Sequence, residues 1–280
     1  MQTGNVKRAF ELLLDGGFVE LATASNRFVS HWIRDSLLSV EKYYLQRKWG
    51  ESYPDPYRLI YANPKDVEYY LLNSDNTDFH LGEELEDDIK EFHQTEQARF
   101  SGRFNLGKIV GGDWDRHKRE WENHDLFRSL RSVYEHGEDW ENTEFIQLCL
   151  NRIERGYKTY GYSTKDGFLE NRTDYIDFLY QDIKENGYKT QDEARDDHRN
   201  EDIFHEVTVN IGRHGELIFN NESGQHRLCL AKILDVSKIP LLVIVRHEQW
   251  QKLRYDIFKN GLPETHAHLR DHPDLQDILE

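Results

Sequence analysis

The stretch FNNESGQHRLCLAKILDVSKIPLLVIVRH, residues 219–247, decides the fold. Its last part, IPLLVIV (239–245), is apolar at every position, as expected of a strand covered on both faces. Ahead of it Leu228, Ala231, Ile233 and Leu234 give a helix an apolar side. Asn220, Asn221, Glu222 and Ser223 supply turn and capping chemistry just before that helix. Between the two stand Gly224, Gln225, His226 and Arg227. A glycine lets a ligand approach the backbone with no Cβ in the way. The free N–H groups of a first helical turn, with the helix dipole behind them, favour an anion. Arg227 adds a bidentate donor suited to phosphate, and His226 a donor or proton carrier. An arginine in a first turn opposes the dipole, so stability alone does not select it there. The plain alternative is a helix start whose arginine and histidine face water, and spacing does not choose between the two.

Working outward, EVTVNI, the turn GRHG and ELIFN read as a hairpin before the helix, and a final helix runs from His247 to Lys259. Short strands at 58–62 and 108–111 can complete the sheet, which gives a mixed α/β (α+β) layer. YRLIYANPKDVEYYL predicts a strand, a turn at Asn63-Pro64 and a helix from Lys65. LGEELEDDIKEFHQTEQARF predicts a solvated helix, and helical spacing runs from Arg116 to about Arg155. TDYIDFLYQDIKENGY predicts a helix capped by Thr173 or Asp174 and stopped at Gly187, with a polar loop over 191–202. The expected organisation is a helical N-terminal arm over 1–50 and a main domain over 51–260 with a helical insertion at about 116–170. A polar tail on the surface over 261–280 completes it.

The 14 Phe, 15 Tyr and 6 Trp can fill a core despite a hydrophobic share of 37%. A net charge of −16 spread along the chain reads as a solvated acidic surface and, with a single Met, as a halophilic protein. It gives duplex DNA binding no support. Residues 1–48 carry seven Lys/Arg against five Asp/Glu, so this arm can dock on the acidic body, a partner protein or an anionic membrane surface. Cys149 and Cys229 show neither disulfide nor metal spacing, which fits a reducing cytoplasm.

EVTVNIGRHGELIFNNESGQHRLCLAKILDVSKIPLLVIVRH resembles the core of the ParB/sulfiredoxin superfamily, in which strand, turn and strand lead to a GxHR or GERR box opening a helix. IDFLYQDIKENGY and YRLIYANPKDVEYYL resemble earlier, less specific blocks of that family, and together the blocks span well under half of the chain. The resemblance implies a nucleotide with its phosphates at the box. Its members include CTP-binding partition proteins, ATP-using sulfiredoxins, a free-serine kinase and ParB-like nucleases. Gln225 stands where sulfiredoxin chemistry needs cysteine, and Ser223 where the kinase has aspartate. Residues 248–280 leave little room for the partition proteins' DNA-binding domain.

Asp113 and Asp115, in GGDWDRHK, alternate around Trp114 and could face one Mg²⁺ or one hydroxyl if the segment is extended. The resemblance places a kinase's general base in that region. Arg213 in GRHG, and Arg246 and His247 at the end of strand 239–245, are further phosphate-site candidates. The expectation is a kinase-like phosphotransferase using Mg²⁺ and ATP, with ADP or CTP as other nucleotides, on a small hydroxylated acceptor. Asp113, Asp115 and His226 would carry the chemistry. The alternatives are a noncatalytic nucleotide-binding adaptor and a ParB-like nuclease.

Overall fold

The computed structural model describes residues 42–71, 105–193, 203–221 and 223–279. The chain divides into two compact units, residues 1–50 and 51–280. In the first, residues 42–49 are helical, and the rest of the expected arm lies outside the described residues, as do the expected helix over 81–100 and most of the loop over 191–202.

The second unit is built on a mixed sheet of β1 (Leu59–Ala62), β2 (Tyr69–Leu71), β3 (Lys108–Val110), β4 (Lys118–Glu120), β5 (Val207–Ile211), β6 (Leu217–Phe219) and β7 (Ile239–His247). The order is β1-β7-β5-β6-β2-β4, with β3 also on β7. β5 and β7 run parallel, Val207 opposite Leu241 and Ile211 opposite Arg246, while β6 returns antiparallel to β5. β1 and β3 share the other edge of β7, at Ile239–Leu242 and Val245–His247. Every residue of β5 and β7 is buried. Residues 239–245 are accordingly apolar throughout, while the buried Thr208 and Asn210 of β5 are satisfied, Thr208 Oγ1 donating to Asn220 Oδ1 and Asn210 Oδ1 accepting from Val245 N.

The helices are α1 (Asp125–His136), α2 (Glu144–Glu154), α3 (Lys165–Phe168), α4 (Asp174–Asn186), α5 (Gln225–Ile233), α6 (Glu248–Asn260) and α7 (Gln276–Leu279). α1 packs on α2 and α5, and α4 on α5, while α6 packs on β7, β3 and α7. Ile239, Leu241 and Val243, alternating along β7, enter one core with Leu126, Phe145 and Leu228 of the helices. Among the described residues no helix is long and apolar enough to cross a membrane.

Four expectations change. No helix starts at Lys65: Asn63 Oδ1 accepts from Lys65 N at 2.9 Å to close a single 3₁₀ turn. Tyr69–Leu71 then pairs with β6 and β4, because two aromatic residues with Tyr70 buried suit a strand between neighbours. The span from Arg116 is not wholly helical, since β4 precedes α1. Thr173 is helical and caps nothing, because α3 runs through a π-helical turn, Leu169–Thr173, into α4. The tail is not merely superficial. Asp274 is buried, and its carboxylate accepts from Arg246 Nη2 at 2.6 Å and Trp250 Nε1 at 2.9 Å.

Candidate functional site

α5 begins where the chain leaves β6 through a tight loop fastened to the start of β5. Ser223 N donates to Thr208 Oγ1 at 3.1 Å, Thr208 N donates to Ser223 O at 3.2 Å, and Asn221 takes a left-handed φ of 61°. Gly224 follows at φ 85°. A Cβ there would stand 2.6 Å from the Val207 Cα, so the glycine is dictated by the strand behind it and not by a ligand in front. The expected capping chemistry is turned to β5 instead: no side chain caps the first turn of α5. Leu228 N donates to Gly224 O at 2.9 Å, and among the described residues the N–H groups of Gln225, His226 and Arg227 have no partner.

Three helices and their connections crowd this mouth. Arg172, from the π-helical turn before α4, lays its guanidinium 4.1 Å from the Tyr160 ring centroid. Its Nη2 lies 2.9 Å from Nε2 of His226. Burial, then the charge of Arg172, holds the His226 imidazole well below its ordinary pKa, so the ring is neutral and Nε2 accepts. Among the described residues Arg172 has no carboxylate partner, and its Nε is buried without a hydrogen bond. Gln225 Nε2 reaches Nε2 of His124 at 3.2 Å.

Arg227 is differently placed. Its Nη1 pairs with Glu206 Oε2 at 3.2 Å, Nη2 donates to the Lys189 carbonyl, and the guanidinium lies 4.3 Å from the Tyr188 ring centroid. It therefore faces the chain's own groups, not water, and Glu206 is only 3% exposed at the side chain. The Tyr188 hydroxyl beneath it is buried without a hydrogen-bond partner among the described residues. Among the described residues the mouth thus combines amides without partners, a half-buried guanidinium without a counter-ion and two buried polar atoms without hydrogen bonds, which is the chemistry an anionic group relieves.

The other expected site residues are elsewhere. Gly224 packs on Val207 at the start of β5, whereas Arg213 follows its end, roughly 15 Å or more along the strand. Arg213 Nη2 reaches Asp115 Oδ1 at 2.6 Å and Asp113 Oδ1 at 2.8 Å, and its backbone N–H donates to Asp115 Oδ2 at 2.9 Å. The two aspartates do converge, but on a guanidinium. Asp115 is 2% exposed and Asp113 64%, because the segment is a 3₁₀ turn and not extended. Arg213 hydrogen bonds hold Asp113 below the usual carboxylate range; at Asp115 they outweigh burial, which alone would raise it. A cation already occupies this pair, so it does not fit a magnesium site or a base for phosphates at α5. Among the described residues no three His, Cys, Asp or Glu gather to hold a metal. His247 caps α6, accepting from Gln249 N at 3.1 Å, and Nε2 lies 2.9 Å from the Gly112 carbonyl. Arg246 is sealed on Asp274, so neither of these two belongs to the α5 mouth.

Arg172, Tyr160 and Tyr188 escape sequence reasoning, and Glu206, whose place at the opening of a strand suggests a surface residue, is buried instead. Arg172 lies 54 positions from the His226 that it meets and just before the stretch of helical spacing from Thr173, so no local signal marks it. No family model, curated protein or solved structure matches the chain.

Proposed function

We propose that this chain is a nucleotide-binding protein of ParB/sulfiredoxin-like architecture that seats its ligand's phosphates at the N-terminus of α5. The single observation that carries this reading is Arg172. A half-buried guanidinium with no carboxylate partner among the described residues stands beside a helix mouth that no described side chain caps. Burying a charge without a counter-ion is costly even where neutral groups such as His226 and Tyr160 touch it. A phosphate would satisfy the Arg172 Nε and the amides of Gln225–Arg227 together. Neutral His226 would then accept from Arg172 and fix its plane, while Arg227 holds the loop at Lys189 and β5 in register.

Binding without turnover is the preferred form of this reading. Phosphoryl transfer needs a carboxylate near the acceptor hydroxyl. The described carboxylate at this mouth, Glu206, is engaged by Arg227, and Asp113 and Asp115 lie past the far end of β5. Calorimetric titration with ATP, ADP and CTP, with and without Mg²⁺, is the test. Micromolar to millimolar binding of at least one, without product in a coupled assay, is expected; no heat from any of the three removes the proposal.

A further inference from the structure

The opposite end of α5 carries a second feature, independent of the phosphate seat. A cleft of about 450 Å³ opens there, floored by the buried rings of Trp121 and Phe127 and walled by Tyr69 and Lys232. Lys232 lies in the last turn of α5, with Nζ 5.3 Å from the Trp121 ring centroid. Lys65, the other lysine lining the cleft, pairs with Asp235 at 2.6 Å, and Lys118, beside Tyr69, pairs with Glu216 at 2.8 Å. Lys232 has no carboxylate or hydrogen-bond partner among the described residues. Glu122, which could have supplied one, is drawn to Arg131 at 3.0 Å.

Burial pushes the Lys232 ammonium down to about 8, offset only in part by Cys229 on its own helix and by Glu122, Glu68 and Asp66 across the cleft. A large fraction of the side chain is then neutral amine near pH 8, and a neutral amine over an apolar floor is a nucleophile. The rim carboxylates Glu68, Glu120 and Glu122 disfavour an anionic occupant, which leaves an uncharged electrophile with a flat or apolar body.

We propose that Lys232 is a carbonyl-reactive amine and that this cleft takes small aldehydes or ketones whose apolar part lies against Trp121 and Phe127. The Nζ lone pair attacks the carbonyl carbon and forms the C–N bond as the carbonyl π pair moves to oxygen. That oxygen takes a proton and the nitrogen loses one, giving a carbinolamine. Protonation of the hydroxyl, departure of water and loss of the second N–H proton leave a C=N bond. One water is released, no electrons change hands, and hydrolysis reverses the step.

The test treats the full chain with benzaldehyde and cyanoborohydride between pH 6 and 10, then maps reduced adducts by peptide mass spectrometry. Lys232 should label about tenfold faster than exposed lysines such as Lys238, with half-maximal rate near pH 8. Lys232→Arg, which keeps a cation over Trp121, should lose only that fast adduct while its circular dichroism stays unchanged. Labelling of Lys232 no faster than of the exposed lysines would mean a shielded structural ammonium and would overturn the proposal. The wild-type rate ratio decides even if the variant does not fold.

Discussion

Arg172 and His226, 54 positions apart in sequence, meet with Nη2 2.9 Å from the imidazole Nε2, at the first turn of α5. The imidazole is neutral and carries no compensating charge, so the contact orients the guanidinium without neutralising it. Burial of the imidazole, and then the charge of Arg172, also make stability depend on pH. An unfolded histidine titrates near 6.5, and the folded one well below it, so below that value the unfolded chain binds the extra proton. The stabilisation is complete above pH 6.5 and is lost as pH falls toward the folded pKa. Urea unfolding of the wild type and His226→Gln at pH 7.5 and pH 5.5 checks the sign. The stability difference between them should move in favour of the variant at the lower pH.

Gly224→Ala is expected to destabilise by about 3 kcal/mol or more, since φ 85° is unfavourable for alanine and the new Cβ meets main chain at Val207. Because the obstacle is backbone, no rotamer change relieves it. Thermal unfolding of the variant provides the measurement, and a loss under about 1 kcal/mol would show that the loop yields instead.

Arg227→Ala strands the Glu206 carboxylate, which is 3% exposed, and should cost about 3 kcal/mol. The double variant Arg227→Met with Glu206→Gln removes both charges and should recover most of that loss in denaturant titrations. Equal destabilisation of the single and double variants would argue that Arg227 acts through Tyr188 and Lys189 instead of Glu206.

Asp113→Asn should leave nucleotide affinity within about twofold, because the residue sits with Arg213 past the opposite end of β5. Asp115→Asn should lower stability by about 2 kcal/mol through loss of its buried bonds to Arg213, again with affinity preserved where the protein is folded. A tenfold loss of affinity in either would return these aspartates to the binding site.

Much of the sheet was legible because residues 239–245 of β7 are apolar throughout, β5 is rich in β-branched residues and Gly215 marks the turn between β5 and β6. β2 was not, since Val67, Tyr70 and Leu71 are spaced as a helix face, and only its neighbours β6 and β4 make it a strand. The Gly224–Arg227 box was visible, but the role of each member was not. Gly224 answers to Val207, and Arg227 to Glu206 and Lys189, which are partners brought by tertiary packing. Arg172 had no local mark at all: it reaches the box only because a π-helical turn aims it there. Asp113 and Asp115 were read as an extended pair; the 3₁₀ turn at Trp114–Arg116 divides them into one exposed and one buried carboxylate.

The most direct measurement compares ATP and CTP affinity of the wild type with Arg172→Gln by calorimetry at constant salt, after matched circular dichroism shows both folded. Loss of one charged hydrogen-bond donor set should weaken binding about tenfold to a hundredfold. Undiminished affinity in Arg172→Gln, or a wild type that binds neither nucleotide, would contradict the assignment of the α5 mouth as a phosphate seat.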